Sequence, residues 1–142
     1  MTVIIEPGYS RAIHPLHAIL LAGSVPLFVG AALSDAAYAS SFHIQWNNFA
    51  SWLIVGGLLF SGIALVFALI DLCRPSRRFR GIGLYVIVLF ATWLIGFFNA
   101  LMHARDAWAS MPTGLVMSII VAVLACAATW LGFRTPYLGG AR

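Results

Sequence analysis

Four histidines, two cysteines and four acidic residues are the side chains of this 142-residue chain best suited to bind haem, hold a metal ion or move a proton. His14 and His17 stand three residues apart, a spacing that can place both on one helix face. With Asp71 and Cys73 they would offer a mixed donor set for a divalent metal, though the spacing is unspecific. Imidazole is also the usual ligand of b-type haem. Here the candidate cofactor-binding residues are His14, His17, His43 and His103, with Met102 as a further axial ligand. His17 and His103 lie at opposite ends of their helices, ~30 Å apart by helix rise, so they cannot clasp one haem within a protomer. The remaining geometries are His103 with His43 or Met102, or His14 and His17 paired across a dimer. No C-x-x-C, nucleophile motif, phosphate loop or paired-carboxylate site occurs, and Gly81-Ile82-Gly83 lacks the third glycine of a dinucleotide fingerprint. The chain alone is therefore not expected to be an enzyme.

The elements that must position these residues follow from the charges, which make up only 8% of the chain against 62% hydrophobic residues. An ordinary soluble domain carries about 25% charge. Arg11 to Asp35, Asp35 to Asp71, Arg80 to Arg105 and Asp106 to Arg134 enclose 23, 35, 24 and 27 uncharged residues. Each stretch exceeds the roughly 20 residues a helix needs to cross a bilayer. Four spans are predicted, over about 13–38, 46–72, 81–104 and 113–133, with a connection of about seven residues between the first two. Short connections make consecutive helices antiparallel neighbours. The fold class is all-α: one integral membrane up-and-down four-helix bundle occupying residues 1–142 as a single domain. Pro15 suits a first helical turn, and Pro26 should kink span one. Trp46, Trp52, Trp108, Trp130 and Tyr137 fall near span ends, as an aromatic belt requires.

Faces can be assigned from periodicity. Small residues line one stripe of span two (Gly57, Ser61, Ala64, Ala68) and one of span four (Gly114, Ser118, Ala122, Ala125, Thr129, Gly132), where backbones can approach closely. Span three aligns Tyr85, Thr92, Gly96, Asn99 and His103, and span one aligns His17, Ser24, Ala31 and Asp35. Polar atoms in hydrocarbon are costly without partners, so these stripes should point inward. Matched depth then predicts two pairs, His17 with Asp71 and His103 with Asp35, with Asn99 near the second. Such pairs either fix helix register or perform chemistry.

The net charge of +4 reports topology rather than nucleic-acid binding. Seven of the eight arginines (Arg11, Arg74, Arg77, Arg78, Arg80, Arg134, Arg142) fall on one side of the four-span arrangement and only Arg105 on the other. The positive-inside rule places both termini and the 74–80 loop in the cytoplasm. That loop could also attract anionic head groups, at about 1 kcal/mol per charge. Ala37-Tyr38-Ala39 has the form of a signal-peptidase site, but the apolar stretch before it is long for a signal peptide and Glu6 dilutes the positive end, so span one is read as retained. Cys73 and Cys126 differ in depth by about seven residues, ~10 Å of helix rise, and are read as reduced packing residues.

The opening His14-Pro15-Leu16-His17, Pro26 near mid-span, Asp35 closing span one and Leu69-Ile70-Asp71 before an Arg-rich turn resemble the domain-of-unknown-function family 2231 of bacterial predicted membrane proteins. The resemblance covers roughly residues 13–133. The chain departs from that pattern where Ala18 replaces a proline common after the second histidine and where span three opens without a histidine. The resemblance implies four spans in a bacterial inner membrane and no reaction. Association of some relatives with cytochromes and quinone-linked dehydrogenases implies a redox setting, by analogy only.

The expected function is accordingly that of a non-catalytic subunit or anchor of a membrane complex. Its partners would be the lipid bilayer and other membrane or periplasmic subunits, in a homo- or hetero-oligomer without nucleic acid. Two alternatives stand beside it. One is an electron-transfer protein carrying b-type haem or touching quinone. The other is a proton or small-solute conduit along Ser24, Thr92, Asn99 and the paired ionisable residues.

Overall fold

The computed structural model describes residues 13–75 and 81–134. Five helices follow in order: α1 (Pro15–Ser41), α2 (Ile44–Cys73), α3 (Ile82–His103), the single turn α4 (Ala107–Ser110) and α5 (Thr113–Arg134). The four long helices have mean hydropathies of 2.0, 2.7, 2.1 and 2.3 over their most apolar windows and are long enough to cross a membrane. Among the described residues there is no strand. The predicted spans are thus reproduced to within three residues at each end.

Local chemistry sets the helix ends. His14 caps α1, its Nδ1 accepting from the Leu16 amide, and Pro15 takes the first helical position, where a missing N–H leaves nothing unpaired. The expected seven-residue loop after span one is instead two residues, Phe42 and His43. Nothing in Ala39-Ser40-Ser41 breaks a helix, so α1 runs on until Phe42 turns left-handed at φ 54° and donates its N–H to the Tyr38 carbonyl. Gly81 occupies φ 93° at the start of α3, a conformation that disfavours any side chain. The turn α4 was not anticipated; Asp106 caps it by accepting from the Trp108 amide. Pro26 lies inside a helix that continues through it, and both Pro26 and Ala22, whose carbonyl loses its usual partner, lie on the exposed face.

In the bundle α1 packs on α2 and α5, and α3 packs on the same two helices, so α1 and α3 oppose each other across a diagonal. The anticipated inward stripes are buried: Gly57, Ser61, Ala64 and Ala68 of α2, and Gly114, Ser118, Ala122 and Ala125 of α5. Phe28 fills the centre. Its ring occupies the space beside Gly57, where an added Cβ would come within 2.6 Å, and beside Gly96, where it would come within 3.5 Å. Those two glycines make room for one aromatic ring at the bundle axis. Outward faces carry Leu33, Ile87, Val123 and Leu59, all at least 60% exposed, as a surface in contact with acyl chains requires. Trp52, Trp108 and Trp130 are also outward; Tyr137 lies outside the described residues. Cys73 and Cys126 are free and exposed rather than packed, because Cys126 follows Ala125 by 100° of helix rotation and so leaves the buried stripe.

Candidate functional site

Two buried polar nodes bridge the α1–α3 diagonal, and the numbers 17, 35, 85 and 103 explain them. His17 and Asp35 are 18 residues apart on α1, and Tyr85 and His103 are 18 apart on α3. Eighteen residues are five whole turns, about 27 Å of rise, so each pair repeats on one azimuth. With α1 and α3 parallel, His17 meets Tyr85 at one end and Asp35 meets His103 at the other.

At the second node His103 Nε2 lies 2.8 Å from Asp35 Oδ1, with side-chain exposures of 1% and 0%. His103 Nδ1 donates to the Asn99 carbonyl at 2.9 Å. Asn99 Nδ2 donates to Ser118 Oγ at 2.7 Å, and Ser118 Oγ donates to Asp35 Oδ2 at 2.5 Å. The ring of bonds therefore joins α1, α3 and α5. It also fixes a proton inventory. A carbonyl only accepts, so Nδ1 carries a hydrogen; a carboxylate also only accepts, so the Nε2–Oδ1 contact holds one further proton, on the imidazole or on the carboxyl group. Either placement leaves the pair neutral overall, which is what a low-dielectric site tolerates. Asn99 Oδ1 is buried without a hydrogen-bond partner among the described residues. Gly114 closes the other side of His103, an added Cβ there falling 3.0 Å from Cε1.

At the first node the direct partner of His17 is Tyr85, Nε2 to Oη at 2.8 Å, rather than the expected Asp71. The His17 ring also stacks on Phe67 of α2, centroids 5.6 Å apart, and the same Phe67 stacks on His14 at 6.1 Å. Asp71, half-buried at the end of α2, is close enough to act electrostatically on both His17 and Tyr85. The azimuth argument that brings His103 to Asp35 brings Tyr85 to His17, since residue 71 sits on an adjacent helix and not on the diagonal one. Ser118 and Tyr85 are the members that depth matching alone overlooks; both already stood on the inward stripes, and the shared 18-residue spacing is the signal that selects Tyr85, whereas Ser118 carries no signal beyond its stripe.

The cofactor expectations meet this geometry unevenly. Both ring nitrogens of His103 are engaged and its side chain is buried, so it presents no lone pair to iron beside either His43 or Met102. His43 is exposed at the α2 N-terminus and His14 is exposed at the start of α1. Among the described residues no three His, Cys, Asp or Glu side chains converge as metal ligands, so His14, His17, Asp71 and Cys73 do not form the metal site their spacing allowed. Between the two nodes the core is Leu21, Phe28, Leu89 and Val121, each at most 1% exposed. Ser24, Ser61 and Thr92 turn their hydroxyls to their own helices, at Leu21, Gly57 and Val88, while Thr129 of α5 donates across to the Leu21 carbonyl of α1. They form no file of polar groups from one node to the other.

Four apolar spans closed around buried polar pairs, with short turns between them, define a polytopic helical membrane protein. Residues 13–141 match the family described as predicted membrane protein DUF2231, and the chain belongs to that family. No curated protein and no solved structure matches the chain.

Proposed function

We propose that the chain is a non-catalytic, membrane-embedded subunit or anchor, with both termini and the 74–80 loop in the cytoplasm of a bacterium and the chain in its inner membrane. The observation that carries this reading is that the buried ionisable side chains, His17, Asp35 and His103, are each bonded to a side chain of another helix. The ring of Asp35, His103, Asn99 and Ser118 ties three helices, and His17 with Tyr85 ties the diagonal again about 27 Å away. A bundle locked at both ends is suited to present fixed outer faces to other membrane subunits. The arginine distribution supports the orientation, although Arg11, Arg77, Arg78, Arg80 and Arg142 lie outside the described residues. The conduit reading has the packed ring of Phe28 against it, and the haem reading has the engaged nitrogens of His103 against it.

Deleting the chain from its native cell and comparing membrane fractions tests the anchor role. A partner polypeptide should leave the membrane or lose abundance when the chain is absent and return on complementation. An unchanged membrane proteome would count against the reading.

A further inference from the structure

A cleft of about 390 Å³ opens at the end of the bundle that holds His103, between the first two turns of α2 and the α3–α4 turn. Its lining is Ile44, Gln45, Asn47, Asn48, Ser51 and, from across the cleft, His103, Arg105 and Ala107. Three features make it a place for an anion. First, Arg105 is exposed, the Met102 sulfur 3.9 Å from its Nη1 being its one side-chain partner among the described residues, and none of the described acidic side chains lines the cleft; Asp106 is turned to the Trp108 amide instead. Second, Asn47 is 6% exposed and one side of its amide meets Ser110 Oγ at 3.2 Å, while the Ser110 hydroxyl also reaches the Ala107 carbonyl at 2.6 Å; in either amide orientation Nδ2 keeps at least one hydrogen without a partner among the described residues on the cleft wall. Third, α2 begins here without a side-chain cap from His43; the Trp46 amide donates to the His43 carbonyl, and Ile44, Gln45 and Asn47, which carry the other first-turn amides, line the cleft at the positive end of the helix dipole. Gln45 and Asn48 add further amide donors.

We propose that this cleft binds the phosphate oxyanion of a phosphate ester, with Arg105 as the charged ligand and Asn47 Nδ2 and the α2 N-terminus as neutral donors. Guanidinium and phosphate match as a planar fork against a tetrahedral oxyanion, and helix N-termini accept phosphate by the same logic as the uncapped amides here. The position of the cleft at a span end, beside Trp46 and Trp52, is the height at which phospholipid head groups lie. A soluble phosphate presents the same group from the aqueous side.

The test uses the full chain in a neutral, phosphate-free detergent. Phosphatidylglycerol is the lipid probe, scored by native mass spectrometry against a diacylglycerol of the same acyl chains, and inorganic phosphate is the soluble probe, scored by calorimetry. Arg105→Gln should weaken binding about tenfold or more, as loss of a charge-assisted contact does. Arg105→Lys should recover part of it, Gln45→Ala should cost less, and Arg134→Gln at the opposite end should leave it unchanged. Arg105 and Gln45 are both exposed, so these variants retain the fold. Retention of phosphatidylglycerol that depends on Arg105 supports the site with a lipid head group as its source; phosphate binding that depends on Arg105 supports it with a soluble one. Binding of neither probe, or binding that survives Arg105→Gln, overturns the proposal, as does an equal loss with Arg134→Gln.

Discussion

Replacing Asp35 separates a register clamp from an incidental contact. In Asp35→Ala two bonds disappear, from His103 Nε2 and from Ser118 Oγ. His103 can shed the shared proton and remain neutral, and Ser118 can turn to the carbonyl one helical turn back, so no uncompensated charge stays behind. The loss is then two interhelical bonds, at about 0.6–1.7 kcal/mol each in a membrane protein, plus a small cavity term, or about 2–3 kcal/mol in total. Asp35→Asn should behave differently. Its amide nitrogen can donate to the neutral Nε2 and its oxygen can accept from Ser118, so both bonds survive without charge and the cost should stay below about 1 kcal/mol. Reversible unfolding in mixed micelles, titrated with SDS, measures both variants. A double-mutant cycle of Asp35→Ala with His103→Ala should return a coupling of about 1 kcal/mol, within the usual range for residues in contact. Wild-type stability for Asp35→Ala, or an equal cost for Asn and Ala, would refute the reasoning.

The other expectations are simpler. Tyr85→Phe leaves His17 Nε2 without its partner and should destabilise by about 1 kcal/mol, measured by the same unfolding assay. Gly57→Ala drives a methyl into the Phe28 ring, which Gly96 hems in on another side, and should cost about 1–3 kcal/mol; Gly83→Ala meets nothing within 4 Å and should be neutral or stabilising. A membrane-impermeant maleimide should modify the exposed Cys73 in inverted but not in right-side-out vesicles if the 74–80 loop is cytoplasmic, while Cys126, on the acyl-facing surface of α5, should resist it from both sides.

The spans were legible because charge exclusion over 23 to 35 residues is a coarse signal that local detail cannot erase. The inward stripes were legible for the same reason, as burial of Gly57, Ser61, Gly114 and Ser118 follows from helical periodicity. What escaped was set by local geometry. The Phe42 turn depends on a left-handed residue that carries no glycine signature, and α4 is a single turn too short for periodicity to register. The contact of His103 with Asp35 could be read from depth. That of His17 with Tyr85 could not, because depth ranks candidates without saying which helix lies across the diagonal. The anion cleft combines an uncapped helix end with a turn more than fifty residues away in sequence, and no linear motif records such a meeting.

The claim that this chain serves as a subunit or anchor is tested most directly by native mass spectrometry of complexes extracted from the source membrane in mild detergent. The account predicts that the chain appears within a larger homomeric or heteromeric assembly that persists at activation energies which strip bulk lipid. A monomer carrying lipid alone, as the sole species under those conditions, would contradict it.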